Sequence, residues 1–115
     1  MIALTREMLA AAYDLLELTE PFCRWNLPSS DEIKFEVTGH KGRQGECVIN
    51  GPDMHVRIST HHIGRIASLM ETMAHEMVHL HTYVAGITEK DPHGPGFRKL
   101  ALQVCRVHGF DPKQF

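Results

Sequence analysis

Cysteine is scarce in this sequence and poorly spaced for structural work. Cys23, Cys47 and Cys105 are odd in number, far apart and form no CxxC pair. That excludes a disulfide framework and a cysteine-based zinc ribbon; the expectation is three buried thiols in a reducing cytoplasm. Long apolar runs are missing too. No stretch approaches the roughly 20 residues that cross a bilayer, so no membrane span is expected. Met1 to Glu7 lack the basic-then-apolar order of a secretory signal, which again points to the cytoplasm. Nor is there a surplus of one charge: the formal net charge is -2, with Lys and Arg scattered rather than run together. A dominant electrostatic grip on nucleic acid is therefore not expected.

What remains is an ordinary globular balance, 43% hydrophobic and 23% charged. The 115 residues suit one compact domain spanning residues 1–115, with a modest core that a bound metal would help to stabilise. There is no internal repeat, low-complexity tract or linker. The abundant residue is histidine, nine in all: His40, His55, His61, His62, His75, His79, His81, His93 and His108.

Residues Thr5 to about Thr19 read as a helix, with Met8, Ala11, Ala12, Leu15 and Leu16 at helical spacing, Thr5 as N-cap and Pro21 just beyond. Three strand-like runs follow. Ile33, Phe35 and Val37 alternate with polar residues, Glu46 to Asn50 form a second run, and Met54, Val56 and Ile58 alternate in the third. The glycine-rich stretch Gly39 to Gly45 and the turn Asn50-Gly51-Pro52-Asp53 separate them, and the expectation is a short antiparallel meander with one buried face. From about Gly64 to Ala85 the period becomes helical, with Ile66, Leu69, Met73, Met77, Leu80 and Val84 as the apolar stripe and Gly86 as cap. A loop, Ile87 to Pro95, leads to a last helix from about Gly96 to His108. The fold class is α+β.

The helix from about Gly64 to Ala85 carries His75-Glu76-Met77-Val78-His79. Each helical residue turns about 100° from the last, so His79 lies about 40° from His75 and Glu76 about 100°. Two imidazoles one turn apart can grip one metal ion without bending the backbone. Glu76 stands beside them rather than between them, so it can reach a metal-bound water as general base instead of ligating. A catalytic zinc needs a third protein ligand. Thr82 and Ala85 stand where the HExxHxxGxxH pattern needs Gly and His, and the last helix contains no Asp or Glu. His93 remains, in Asp91-Pro92-His93-Gly94-Pro95-Gly96-Phe97, where two prolines and two glycines shape a tight turn.

The combination of "HEMVH" on a helix with "HGPGF" opening the next resembles the SprT-like metallopeptidase domain, the family of the Spartan protease domain. The resemblance covers most of the chain and is weakest before about residue 50. It implies a zincin-like fold, His75, His79 and His93 as ligands of one Zn2+ per chain, and Glu76 as catalytic acid/base. It also implies a protein or peptide substrate laid out as an extended strand along the sheet edge. Many such proteins continue into a cysteine zinc ribbon or a nucleic-acid-binding tail. This sequence stops at Phe115 without ribbon cysteines, so nucleic acid enters as a partner by resemblance and is not supported by charge.

Other residues read as follows. His81, about 240° round the helix from His75, is expected to be packed rather than a ligand. His61 and His62, where the third strand enters the helix, are expected as exposed loop residues, with lining of a substrate groove or binding of an extra surface metal the alternatives. Tyr83 either stabilises an oxyanion or packs under the His93 loop. The expected function is zinc-dependent peptide hydrolysis. The alternative is a catalytically silent, zinc-stabilised module that binds a partner protein, against which the presence of Glu76 speaks.

Overall fold

The computed structural model describes residues 4–61 and 65–115. Helix α1 spans Arg6–Glu17 and is capped by Thr5, whose Oγ1 accepts a hydrogen bond from the Met8 N–H at 3.1 Å. Two short 3-10 turns, Phe22–Arg24 and Ser30–Glu32, lead into strand β1, Ile33–Thr38. Strands β2, Gly45–Asn50, and β3, Asp53–Ser59, form a hairpin in which Gly51 adopts φ 63°. Helix α2 covers Ile66–Val84, and helix α3 covers Pro95–His108. Gly64, the expected start of α2, lies outside the described residues. None of the described helices is long and apolar enough to cross a membrane.

The α+β class holds, but the sheet is not an antiparallel meander. Its order is β1-β3-β2, with β1 parallel and β2 antiparallel to β3. Val56 of the central strand stands opposite Phe35 on one side and Cys47 on the other. The physical reason lies in the connection. Two strand spacings amount to about 9.6 Å, which the chain between Thr38 and Gly45 can bridge, so β2 lands one position further out and β3 returns into the gap. The inserted strand is the most buried of the three, and Val56 and Ile58 are fully buried.

One face of the sheet meets α1 and α2, where Tyr13, Phe22, Leu69, Met73, Met77 and Leu80 join Phe35, Val56 and Ile58 in the core. Ile66 and Val84, expected in the α2 stripe, are about half exposed, because the helix runs past the core at both ends. The other face of the sheet is polar. Glu36 there pairs with His55 at 2.7 Å, and Arg57 bridges Glu36 and Glu46 at 3.4 and 3.3 Å.

Gly45 sets the distance between sheet and helix. A Cβ at this position would stand 3.0 Å from Thr72 Cγ2 and 3.1 Å from the Arg57 carbonyl. Its absence lets the start of β2 lie directly on α2, one turn before His75.

Candidate metal centre

Helix α2 brings His75 and His79 to one face, and its end is set by Gly86 in the left-handed region at φ 73°. The chain then returns through the loop to His93, immediately before Gly94, the N-cap of α3, and Pro95 in its first turn. The three Nε2 atoms converge. His79 and His75 are 3.2 Å apart, His79 and His93 3.0 Å, and His93 and His75 3.3 Å. Nitrogens this close repel one another unless a proton or a cation lies among them. A tetrahedral ion with metal–nitrogen bonds of about 2.05 Å requires ligand nitrogens about 3.3 Å apart. The triangle therefore fits such an ion, and it is the one cluster of its kind among the described residues.

The surroundings keep two of the rings in the ligating form. Burial pushes the His75 imidazole down to about 3, helped by His79 and His93. Burial also pushes His79 down to about 4, helped by His93. Both are neutral near pH 7, as metal ligation requires. Beneath them lies Phe97, only 3% exposed. Its ring centroid is 4.4 Å from that of His79, 4.9 Å from His93 and 5.1 Å from His75. Phe115 adds a wall at 5.3 Å from His75.

Glu76 is 4% exposed. Burial drives its carboxyl up to about 8, the charge of Glu46 adds to the rise, and Arg43 partly offsets it. It lines a cleft of about 410 Å³ with all three histidines, running between α2 and the outer strand β2. Gly45, Glu46, Cys47 and Ile49 form the β2 wall. Burial, reinforced by Glu76, pushes the Cys47 thiol up to about 12, so it stays protonated and is no competing ligand.

A family model described as the SprT-like family matches residues 12–114. The chain belongs to the SprT-like family. Curated proteins yield no match to it. Membership in the SprT-like family goes with a metallopeptidase-like domain, and the four residues singled out from the sequence, His75, Glu76, His79 and His93, line one cleft.

The other described histidines are not part of this cluster of three. His81 stacks on Trp25 with centroids 4.3 Å apart, and burial lowers its pKa. His61 is exposed, and His62 lies outside the described residues. Tyr83 does not pack under the loop; it is 54% exposed on the cleft rim. Of the cysteines, only Cys105 is buried, while Cys47 is half-buried and Cys23 is exposed on a 3-10 turn. Phe97 and Phe115 escaped the sequence reading as site residues. Phe97 follows His93-Gly94-Pro95-Gly96 directly, but its contact with all three imidazoles depends on how α3 crosses α2.

The shifted groups predict an unusual pH profile for the metal-free protein. Below pH 6.5 the unfolded chain binds protons at two imidazoles that the fold excludes, so stability falls as pH drops toward about 4 and 3. Glu76 acts in the opposite direction. Folded, it keeps its proton to about 8 rather than 4.5, so stability falls as pH rises through that window. Two imidazoles outweigh one carboxyl below 6.5, and only Glu76 acts above it. Melting of chelator-treated protein should therefore peak near pH 6.5, and Glu76→Gln should flatten the alkaline side.

Proposed function

We propose that this chain is a zinc-dependent metallopeptidase that hydrolyses peptide bonds in protein substrates. His75, His79 and His93 hold one Zn2+ per chain, and Glu76 is the catalytic acid/base. The observation that carries the reading is the triangle of Nε2 atoms with edges of 3.0–3.3 Å beside a buried carboxyl, open to a cleft.

When bound, zinc lowers the pKa of a water and polarises a carbonyl. The chain does the rest. Glu76 removes a proton from the attacking water and delivers it to the leaving amine, the charge of the bound cation bringing its carboxyl down from the metal-free value of about 8 toward the ionised form that a base needs. Phe97 and Phe115 press on the imidazoles and keep bulk water from their apolar side. Among the described residues β2 pairs with β3 on one side only, so its outer edge offers backbone groups along the cleft to which a further strand can pair. An extended peptide can add there as a further strand, which brings its amide bonds past His75 and Glu76. That geometry supports a protein substrate, because backbone pairing recognises any unfolded segment.

The three free cysteines favour the cytoplasm as the working compartment. With a net charge of -2, duplex DNA is not proposed as a tight partner. The test is incubation of the zinc-loaded protein with an unfolded protein such as casein, with and without chelator. Cleavage that chelator stops and added zinc restores is the expected result. No cleavage of any unfolded substrate by zinc-loaded protein moves the assignment to the silent binding module.

A further inference from the structure

His93 alone of the three ligating histidines stands outside regular secondary structure, and it is exposed. Freezing a free loop to place one imidazole costs conformational entropy, so a loop ligand is effective only where its backbone is already fixed. Asp91 Oδ1 accepts from the His93 N–H at 2.9 Å, and Arg98 Nε donates to the His93 carbonyl at 2.9 Å. Both act next to the ligand itself. A third side chain spans the whole turn.

Glu89 reaches across the loop to the start of α3. Its Oε2 accepts from the Gly96 N–H at 3.2 Å, and its Oε1 accepts from the Phe97 N–H at 3.3 Å. N–H groups in the first turn of a helix have no partner within it, and the helix dipole favours a carboxylate there. The two glycines make the seat. A Cβ at Gly94 would stand 2.5 Å from Glu89 Oε2, and one at Gly96 would stand 2.6 Å from Oε1. Neither glycine is needed for backbone freedom: Gly94 sits at φ -73° and Gly96 lies within the first turn of α3. The glycines of the His-Gly-Pro-Gly turn are there for space, and Glu89 fills it.

The geometry points to Glu89 as a positioning residue of the metal centre, whose docked carboxylate holds the His93 loop and Phe97 in the arrangement that closes the imidazole triangle. This rests on the proposed role of His93 as a ligand. Loss of the carboxylate frees the loop carrying one ligand and loosens the ring that floors all three.

The test measures zinc affinity by competition with a chromophoric chelator, together with the visible spectrum of the Co2+-substituted protein. Wild type, Glu89→Ala, Glu89→Gln, Gly96→Ala and His93→Ala are compared. Glu89→Ala should weaken zinc about 10-fold, the lower end of what loss of an outer partner costs. Its cobalt spectrum should shift toward that of His93→Ala. Glu89→Gln keeps one acceptor oxygen and should recover part of the loss. Gly96→Ala separates seating from simple helix capping. Alanine favours a helix over glycine, so without the docked carboxylate it would stabilise α3; with it, the methyl expels Glu89 and zinc weakens about as much as in Glu89→Ala. Glu89→Ala within twofold of wild type and spectrally unchanged overturns the role of Glu89, as does Gly96→Ala that binds zinc undiminished. Wild type that takes up no zinc overturns the proposed metal centre as well.

Discussion

Glu76→Gln is expected to retain zinc at the wild-type level and lose peptide hydrolysis by at least about 10²-fold, up to 10⁴-fold. The zinc stays because Glu76 lies outside the triangle formed by the three Nε2 atoms. Folding should also survive. A buried glutamine avoids the burial penalty that raises the Glu76 carboxyl to about 8. Its amide keeps the shape of the side chain and can still hydrogen-bond a water, but it cannot accept a proton near neutral pH. Attack then lacks its base, and the departing amine lacks its donor. Zinc content, melting temperature and casein cleavage, measured together on both proteins, check the result. Cleavage unchanged by the substitution would place the activity elsewhere or in a contaminant.

His93→Ala should weaken zinc binding by more than about 100-fold, since loss of an outer partner alone costs 10–100-fold. His81→Ala, on the same helix as two of the proposed ligands, should leave affinity within about twofold. The contrast follows from position. His93 Nε2 lies 3.0 and 3.3 Å from the other two ligand nitrogens, whereas the His81 ring stacks on Trp25. At a free zinc concentration about 1,000 times the wild-type Kd, binding adds about 4 kcal/mol to stability. A hundredfold loss removes about 2.7 kcal/mol of that, roughly 10 °C in melting temperature for a chain of this size. His81→Ala should lose stability whether or not zinc is present, because what it removes is an aromatic stack worth about 0.5–1.5 kcal/mol. Zinc titrations and melting curves with and without chelator separate the two. Reversed effects would show that the His93 loop does not serve the metal.

The parts of the molecule legible in the sequence are those fixed by local geometry. Thr5 caps α1 as its side chain dictates, and the spacing of His75 and His79 puts both on one face because neighbours one turn apart are a property of any helix. Strand alternation marked which residues of β1 and β3 face the core, but a period of two says nothing about which strands are neighbours. The parallel pairing of β1 with β3 depends on where the chain after Thr38 comes down, and several landings satisfy the same alternation. Contacts between distant elements were equally hidden. From the sequence Phe97 only follows the turn that opens α3, and Gly94 and Gly96 shape that turn; only the packing of the loop shows the ring under the imidazoles and the carboxylate of Glu89 between the glycines. Cys23, expected inside, is exposed because the 3-10 turn buries Phe22 instead.

The most direct measurement of the central claim is a crystal structure of the zinc-loaded protein with diffraction recorded on both sides of the zinc absorption edge. One anomalous peak per chain is expected at about 2.0–2.1 Å from the Nε2 atoms of His75, His79 and His93, with Glu76 outside the ligand set. A peak bound by other residues, or none within reach of the three imidazoles, would contradict the account.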